Sequence, residues 1–291
     1  MRLKLRNFLY KIKQMNKNNR TILDIVFYII VFFLIQLFFM YLVRFVEVWI
    51  SENSLRYALF ALKGGPILTG KMLATASILF GVFSICFFSW RKWTPVSRAW
   101  IRTKPWFIFF WVTMAALGSI LPSQWIIEQT QYTMPESQQQ LFEEIMREPL
   151  GYVAIGLVAA MAEEVVFRGA VLRRLLDMTG ERWHWVAIIA SALIFGGVHL
   201  NAPQFIHATL IGLILGWMYY RTRSIVPCIV FHCVNNTVPY VMFNLMPQMN
   251  DGKLIDLFHG NERLMWLGLL CSMLMLLPAL FQLNLRLKRA E

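Results

Sequence analysis

The chain of 291 residues is 58% hydrophobic and only 15% charged, with a formal net charge of +12. Soluble domains carry about 45–50% apolar and about 25% charged residues, so this composition argues against a water-soluble enzyme, and disorder needs low hydrophobicity. An all-α polytopic membrane protein remains, in which surplus Lys and Arg mark cytoplasmic loops and anionic lipid rather than nucleic acid.

Residues 1–20 form a basic segment with seven Lys/Arg (Arg2, Lys4, Arg6, Lys11, Lys13, Lys17, Arg20) and no acid. The apolar run 21–43 is longer than the ~7–15 residues of a signal-peptide core and ends in bulky residues, so it reads as a retained first transmembrane helix. Further apolar runs follow at 67–90, 106–121, 151–171, 186–199, 206–220, 226–243 and 264–285. The pattern predicts about eight transmembrane helices. Pro66, Pro105, Pro122, Pro149, Pro203 and Pro227 fall at or near their boundaries, as helix punctuation should. Trp90, Trp93, Trp106, Trp183, Trp185, Tyr219 and Tyr220 gather there too, as in interfacial belts.

Loop charge alternates along the chain. Loop 91–105 has five basic residues and no acid, whereas loop 122–149 has five Glu against one Arg. Loops 172–185 and 221–225 and the tail (Arg286, Lys288, Arg289) are basic, and 244–263 is balanced. Positive-inside counting therefore predicts both termini in the cytoplasm. Cys86, Cys228, Cys233 and Cys271 all lie in apolar runs with no CxxC pair, which fits buried thiols acting as small hydrophobes.

The informative residues are ionisable ones inside apolar runs, where each costs roughly 2.5–3.5 kcal/mol on insertion scales. The fourth run holds Glu163, Glu164 and Arg168. Glu164 and Arg168 are four apart, about 40° around a helix, in the favourable order for an ion pair. Glu163 lies about 100° from Glu164, so it stays free for general-base work. The fifth run ends in Phe195-Gly196-Gly197-Val198-His199, and the seventh carries His232-Cys233-Val234-Asn235-Asn236. His232 and Asn236 share a helix face; Asn235 lies about 60° to the other side. Counted from the basic ends of their runs, Glu163 sits ~12 Å deep, His232 ~9 Å and His199 ~20 Å. The last value requires a later start or a strong tilt for the fifth helix. His184, His207 and His259 match no pattern and take structural roles. Gly212 and Gly216 form a GxxxG suited to close helix packing.

These three motifs, EExxxR, FxxxH and HxxxN on successive spans, resemble the CPBP intramembrane proteases, also called the Abi or CAAX-protease-like family. That family includes the type II CAAX prenyl endopeptidases. The resemblance covers residues 150–243. It implies a catalytic core of helices four to seven there, preceded by helices one to three and the acidic loop at 21–149. The last helix and basic tail follow at 244–291. By the resemblance, Glu163 and His199 activate a water, His232 and Asn236 stabilise the oxyanion, and Glu164 and Arg168 support them. Such proteins act on membrane-bound or hydrophobic peptides: a prenylated tail, a peptide precursor or a bacteriocin leader. A metal-free site is preferred, because HExxH is absent and an amide is a poor zinc ligand. Zinc held by Glu163, His199 and His232 is the alternative. The rival functions are a non-catalytic membrane partner in bacteriocin immunity or regulation, and a transporter, against which no internal repeat is found. A multi-pass protein of a bacterial plasma membrane is expected, with the endoplasmic reticulum membrane as the alternative.

Overall fold

Each apolar run of the sequence is helical. The structure is a computed structural model that describes residues 16–65, 67–95, 99–247 and 252–289. Most of the basic N-terminal segment, residues 1–15, and Pro66 lie outside the described residues. The helices are α1 (Lys17–Glu52), α2 (Leu55–Ala61), α3 (Gly70–Trp90), α4 (Ala99–Arg102), α5 (Trp106–Gln129), α6 (Glu136–Arg147), α7 (Tyr152–Thr179), α8 (His184–Gly197), α9 (Ala202–Thr222), α10 (Val226–Leu245) and α11 (Glu262–Arg286). No strand occurs among the described residues. The protein is an all-α, multi-pass membrane protein.

Five of these helices, α1, α3, α5, α10 and α11, are each long and apolar enough to cross a membrane. The pair α6 and α7, bent by 102° at their junction, has the length and composition of a sixth, broken span or of a re-entrant loop. Helix α8 has 14 residues, about 21 Å of rise, short of the ~30 Å hydrocarbon core. It packs antiparallel against α9. A side chain at Gly196 would strike the Phe205 carbonyl oxygen at 2.7 Å and the Thr209 hydroxyl, and one at Gly212 would lie 3.2 Å from the Ala192 backbone. Small residues let the two backbones close together, the use expected of the GxxxG.

The alternating loops segregate to opposite ends of the bundle. At one end, Arg174 pairs with Asp24 of α1 at 3.1 Å, Arg173 donates to the Trp93 carbonyl at 2.8 Å, and Arg289 of the tail reaches Glu181 at 2.9 Å. At the other end, the Asn201 amide donates to Gln138 of α6 at 3.0 Å, and the Leu254 N–H donates to Glu128 at 2.7 Å. Basic loops therefore meet basic loops, and the acidic loop meets the 244–263 connection.

Two local expectations are corrected. Pro122 does not end its helix: α5 continues to Gln129 with Pro122 inside it. The proline withholds an N–H from the Gly118 carbonyl without ending the helix; nearby, the hydroxyls of Ser119 and Ser123 bond the carbonyls of Ala116 and Ile120 at 2.7 and 2.9 Å. The acidic loop also contains an amphipathic helix, α6, which buries Ile145 and Met146. By contrast, Pro203 and Pro227 sit in the first turns of α9 and α10, where a missing N–H costs nothing.

Candidate active site

Helix α7 carries the site and is unusual along most of its length. Two wide stretches with i→i+5 geometry, Tyr152–Ala159 and Glu164–Leu172, flank one ordinary turn, Ala160–Glu163. Widened helices leave carbonyls poorly served by the helix ladder, and buried carbonyls need partners. Neighbouring elements supply them. Asn236 Nδ2 donates to Ile155 O at 3.1 Å, Thr94 Oγ1 to Val165 O at 2.6 Å, and Ser191 Oγ to Phe167 O at 3.4 Å. Helices α10 and α8 and the loop after α3 are thereby tied to α7 at the level of the motif.

The first motif assembles as its spacing predicts, with an addition from α10. Arg168 Nη1 donates to Glu164 Oε1 at 2.8 Å, and the two side chains are 1% and 0% exposed. His232 Nδ1 lies 2.8 Å from the same Oε1. A carboxylate accepts, so Nδ1 carries the proton and Nε2 faces outward. It faces Glu163, whose Oε2 is 3.7 Å away. The Glu163 side chain remains 25% exposed against 4% for His232, so it is the most accessible of this group. The Arg168 guanidinium also lies over the Phe195 ring at 4.3 Å, a cation–π contact that offsets part of its desolvation.

His199 stands one step away. Its Nδ1 donates to Phe195 O at 2.9 Å, which leaves Nε2 as a free base. Ser191 bonds Phe167 and sets the level of α8 against α7. From that level His199 lies about 12 Å onward and Glu163 about 6 Å by helical rise. His199 is therefore still deeper than Glu163, and the Phe195 ring spans the difference. That ring is 5.2 Å from His199 and 5.8 Å from His232, edge-on to both. Among the described residues, no hydrogen bond or ion pair joins Glu163 to His199.

Asn236 is anchored on Ile155 O through one N–H, which leaves its second N–H available. The residue beside it behaves differently. Asn235 is 2% exposed, and its Oδ1 accepts from His207 Nε2 at 2.9 Å. The sequence reading left His207 and Asn235 outside the site. The criterion that found His232, an ionisable side chain in an apolar run, applies equally to His207 at the start of α9.

Zinc was the alternative reading for Glu163, His199 and His232. His232 turns Nε2, the nitrogen that could ligate, toward Glu163 at 3.7 Å, but His199 stands apart from them beside the Phe195 ring. As arranged, the three do not converge, and the described residues contain no group of three His, Cys, Asp or Glu side chains able to hold a metal. No step proposed below runs through a metal.

Comparison with known proteins falls on this same region. Residues 146–238 match the family model of type II CAAX prenyl endopeptidase Rce1-like proteins. A curated relative, "Putative membrane peptidase YdiL" of Bacillus subtilis (strain 168), is 28% identical over 107 residues, which is 37% of this chain and 43% of the relative. The chain thus matches less than half the length of that relative. No solved structure matches. The matched residues 146–238 run from the end of α6 through α7, α8, α9 and most of α10.

Proposed function

We propose that the protein is an intramembrane endopeptidase that hydrolyses peptide bonds in membrane-associated or hydrophobic peptides without a metal. The observation that carries this reading is His232 set between two glutamates: Nδ1 at 2.8 Å from the buried Glu164, Nε2 at 3.7 Å from the accessible Glu163. Glu164, already paired with Arg168, orients the imidazole. Glu163 takes a proton from the attacking water and returns it to the departing amide nitrogen; His199, set apart from it beyond the Phe195 ring, has to close on that water to lend its free Nε2. With both ring nitrogens protonated, His232 offers Nε2–H, and together with the second N–H of Asn236 it binds the carbonyl oxygen as it gains charge. Preorganised donors of this kind are worth about 2.7–4 kcal/mol each. The family match over the same residues supports the reaction class, and the Bacillus relative supports a bacterial plasma membrane.

The test uses purified wild type and Glu163→Ala in detergent. The probes are two internally quenched peptides: one with a prenylated C-terminal cysteine, one with an unmodified apolar segment. Cleavage of either by the wild type and not by the variant is expected. Equal cleavage by both overturns the assignment of Glu163. No cleavage by the wild type, together with full biological activity of Glu163→Ala in cells, favours a non-catalytic binding role.

A further inference from the structure

We propose that Asn235 is an additional donor to the substrate's carbonyl oxygen and that His207 is the residue that positions it; the proposal rests on the peptidase reading above. On α10, Asn235 follows His232 by less than one turn and points into the bundle, 2% exposed. Its carboxamide is pinned at one end only. Oδ1 accepts from His207 Nε2 at 2.9 Å, while Nδ2 is buried and has no hydrogen-bond partner. Among the described residues it is the sole buried unpartnered polar atom on α10.

A buried amide N–H₂ left unpaired costs about 1–3 kcal/mol, and unpaired buried groups concentrate where a ligand supplies the missing partner. The missing partner here is an acceptor. Nδ2 offers two N–H groups and no lone pair for hydrogen bonding, so it suits a carbonyl oxygen and does not suit a cation. Its surroundings point the same way. Asn235 follows His232, the proposed oxyanion donor, by three residues on α10, so its carboxamide lies within one helical turn of that donor. Asn236, by comparison, has already given one N–H to α7. The arrangement makes His207 an orienting residue. By holding Oδ1, it fixes which end of the amide faces the substrate, and a free amide would lose that choice by rotation. An oriented donor costs no reorganisation when charge develops.

The substitutions that test this are Asn235→Ala, His207→Ala and His207→Gln, measured on the prenylated quenched peptide alongside Glu163→Ala. Gln can donate to Oδ1 in place of imidazole. Asn235→Ala is expected to lower kcat by about 10²-fold, the effect of removing one oxyanion donor, with KM changed less than about twofold. His207→Ala is expected to reproduce most of that loss, and His207→Gln to recover it. A merely structural pair would instead lower the fraction of folded, active enzyme, leaving kcat per active site unchanged and no recovery specific to Gln. If Asn235→Ala fails to fold, the His207 pair decides alone: equal kcat for Ala and Gln overturns the proposal. If Glu163→Ala abolishes cleavage while Asn235→Ala keeps full kcat, this inference fails and the peptidase reading stands. If the wild type cleaves neither quenched peptide, both fall.

Discussion

The imidazole of His232 meets the carboxylate of Glu164 at 2.8 Å across 68 residues of sequence, on an oxygen that Arg168 also engages. One acid thus serves two partners, one on its own helix and one on α10. Its second oxygen is buried and unpartnered, so the pair with Arg168 is needed to make the buried charge tolerable. Removing one member of a buried ion pair costs about 3–5 kcal/mol. Arg168→Ala should therefore destabilise the protein by about that much and release His232 from its orientation. Thermal unfolding in detergent reads the first effect, and lost cleavage in the folded fraction reads the second.

Thr94 makes an independent structural prediction. Its hydroxyl, 1% exposed, donates to Val165 O at 2.6 Å beside the motif. A side chain at Gly169 would collide with that threonine, 2.7 Å from its hydroxyl oxygen. Thr94→Val keeps the shape and strands a buried carbonyl, at a cost of about 1–3 kcal/mol. A melting temperature equal to wild type would show that the widened helix does not depend on this bond.

How much of this was legible in the sequence depends on the range of the interaction. Lipid forces every spanning segment to satisfy its own backbone, so long apolar runs read directly as helices, and all eight are helical. The Glu164–Arg168 pair follows from helical spacing alone. The bond from His232 to Glu164, the commitment of Asn236 to Ile155 and the entry of His207 all depend on how α7, α9 and α10 pack. The widened geometry of α7, which frees Ile155 O, leaves no periodic mark in the sequence. Pro122 costs α5 one backbone donor yet does not end it, so a proline near the edge of an apolar run is not by itself a boundary in a membrane helix.

Packing of the α8–α9 hairpin sets where Phe195 and His199 stand. Gly196 faces the Phe205 carbonyl at a distance that leaves no room for a methyl group. Gly196→Ala should cost about 1–3 kcal/mol by overpacking and displace His199. Activity should fall more than the folded fraction does.

Acid stability should depend on Glu181, at the basic end and outside the apolar runs. The hydrogen bond from Tyr220, then that from Arg289, holds its carboxyl below the usual value of 4.5. A depressed carboxylate contributes stability that is present above the unfolded value and lost as pH falls through the folded one. Wild type should therefore lose melting temperature more steeply than Glu181→Gln as pH drops below about 4.5. The difference should shrink in high salt, because the side chain is exposed. Parallel pH profiles would remove Glu181 from the lock between α7, α9 and the tail.

Metal use has its own readout. Chelator treatment of the purified protein should leave cleavage unchanged, and added zinc should not raise it. Loss on chelation and recovery with zinc would mean that Glu163, His199 and His232 converge in the working enzyme.

The most direct test of the central claim compares wild type with Glu163→Ala, matched for folded protein in membranes, on the two quenched peptides. The account predicts that the variant keeps its melting temperature, because Glu163 is partly exposed and its ion pair with His232 is long, at 3.7 Å, and that it loses cleavage. A variant that still cleaves at the wild-type rate would contradict it.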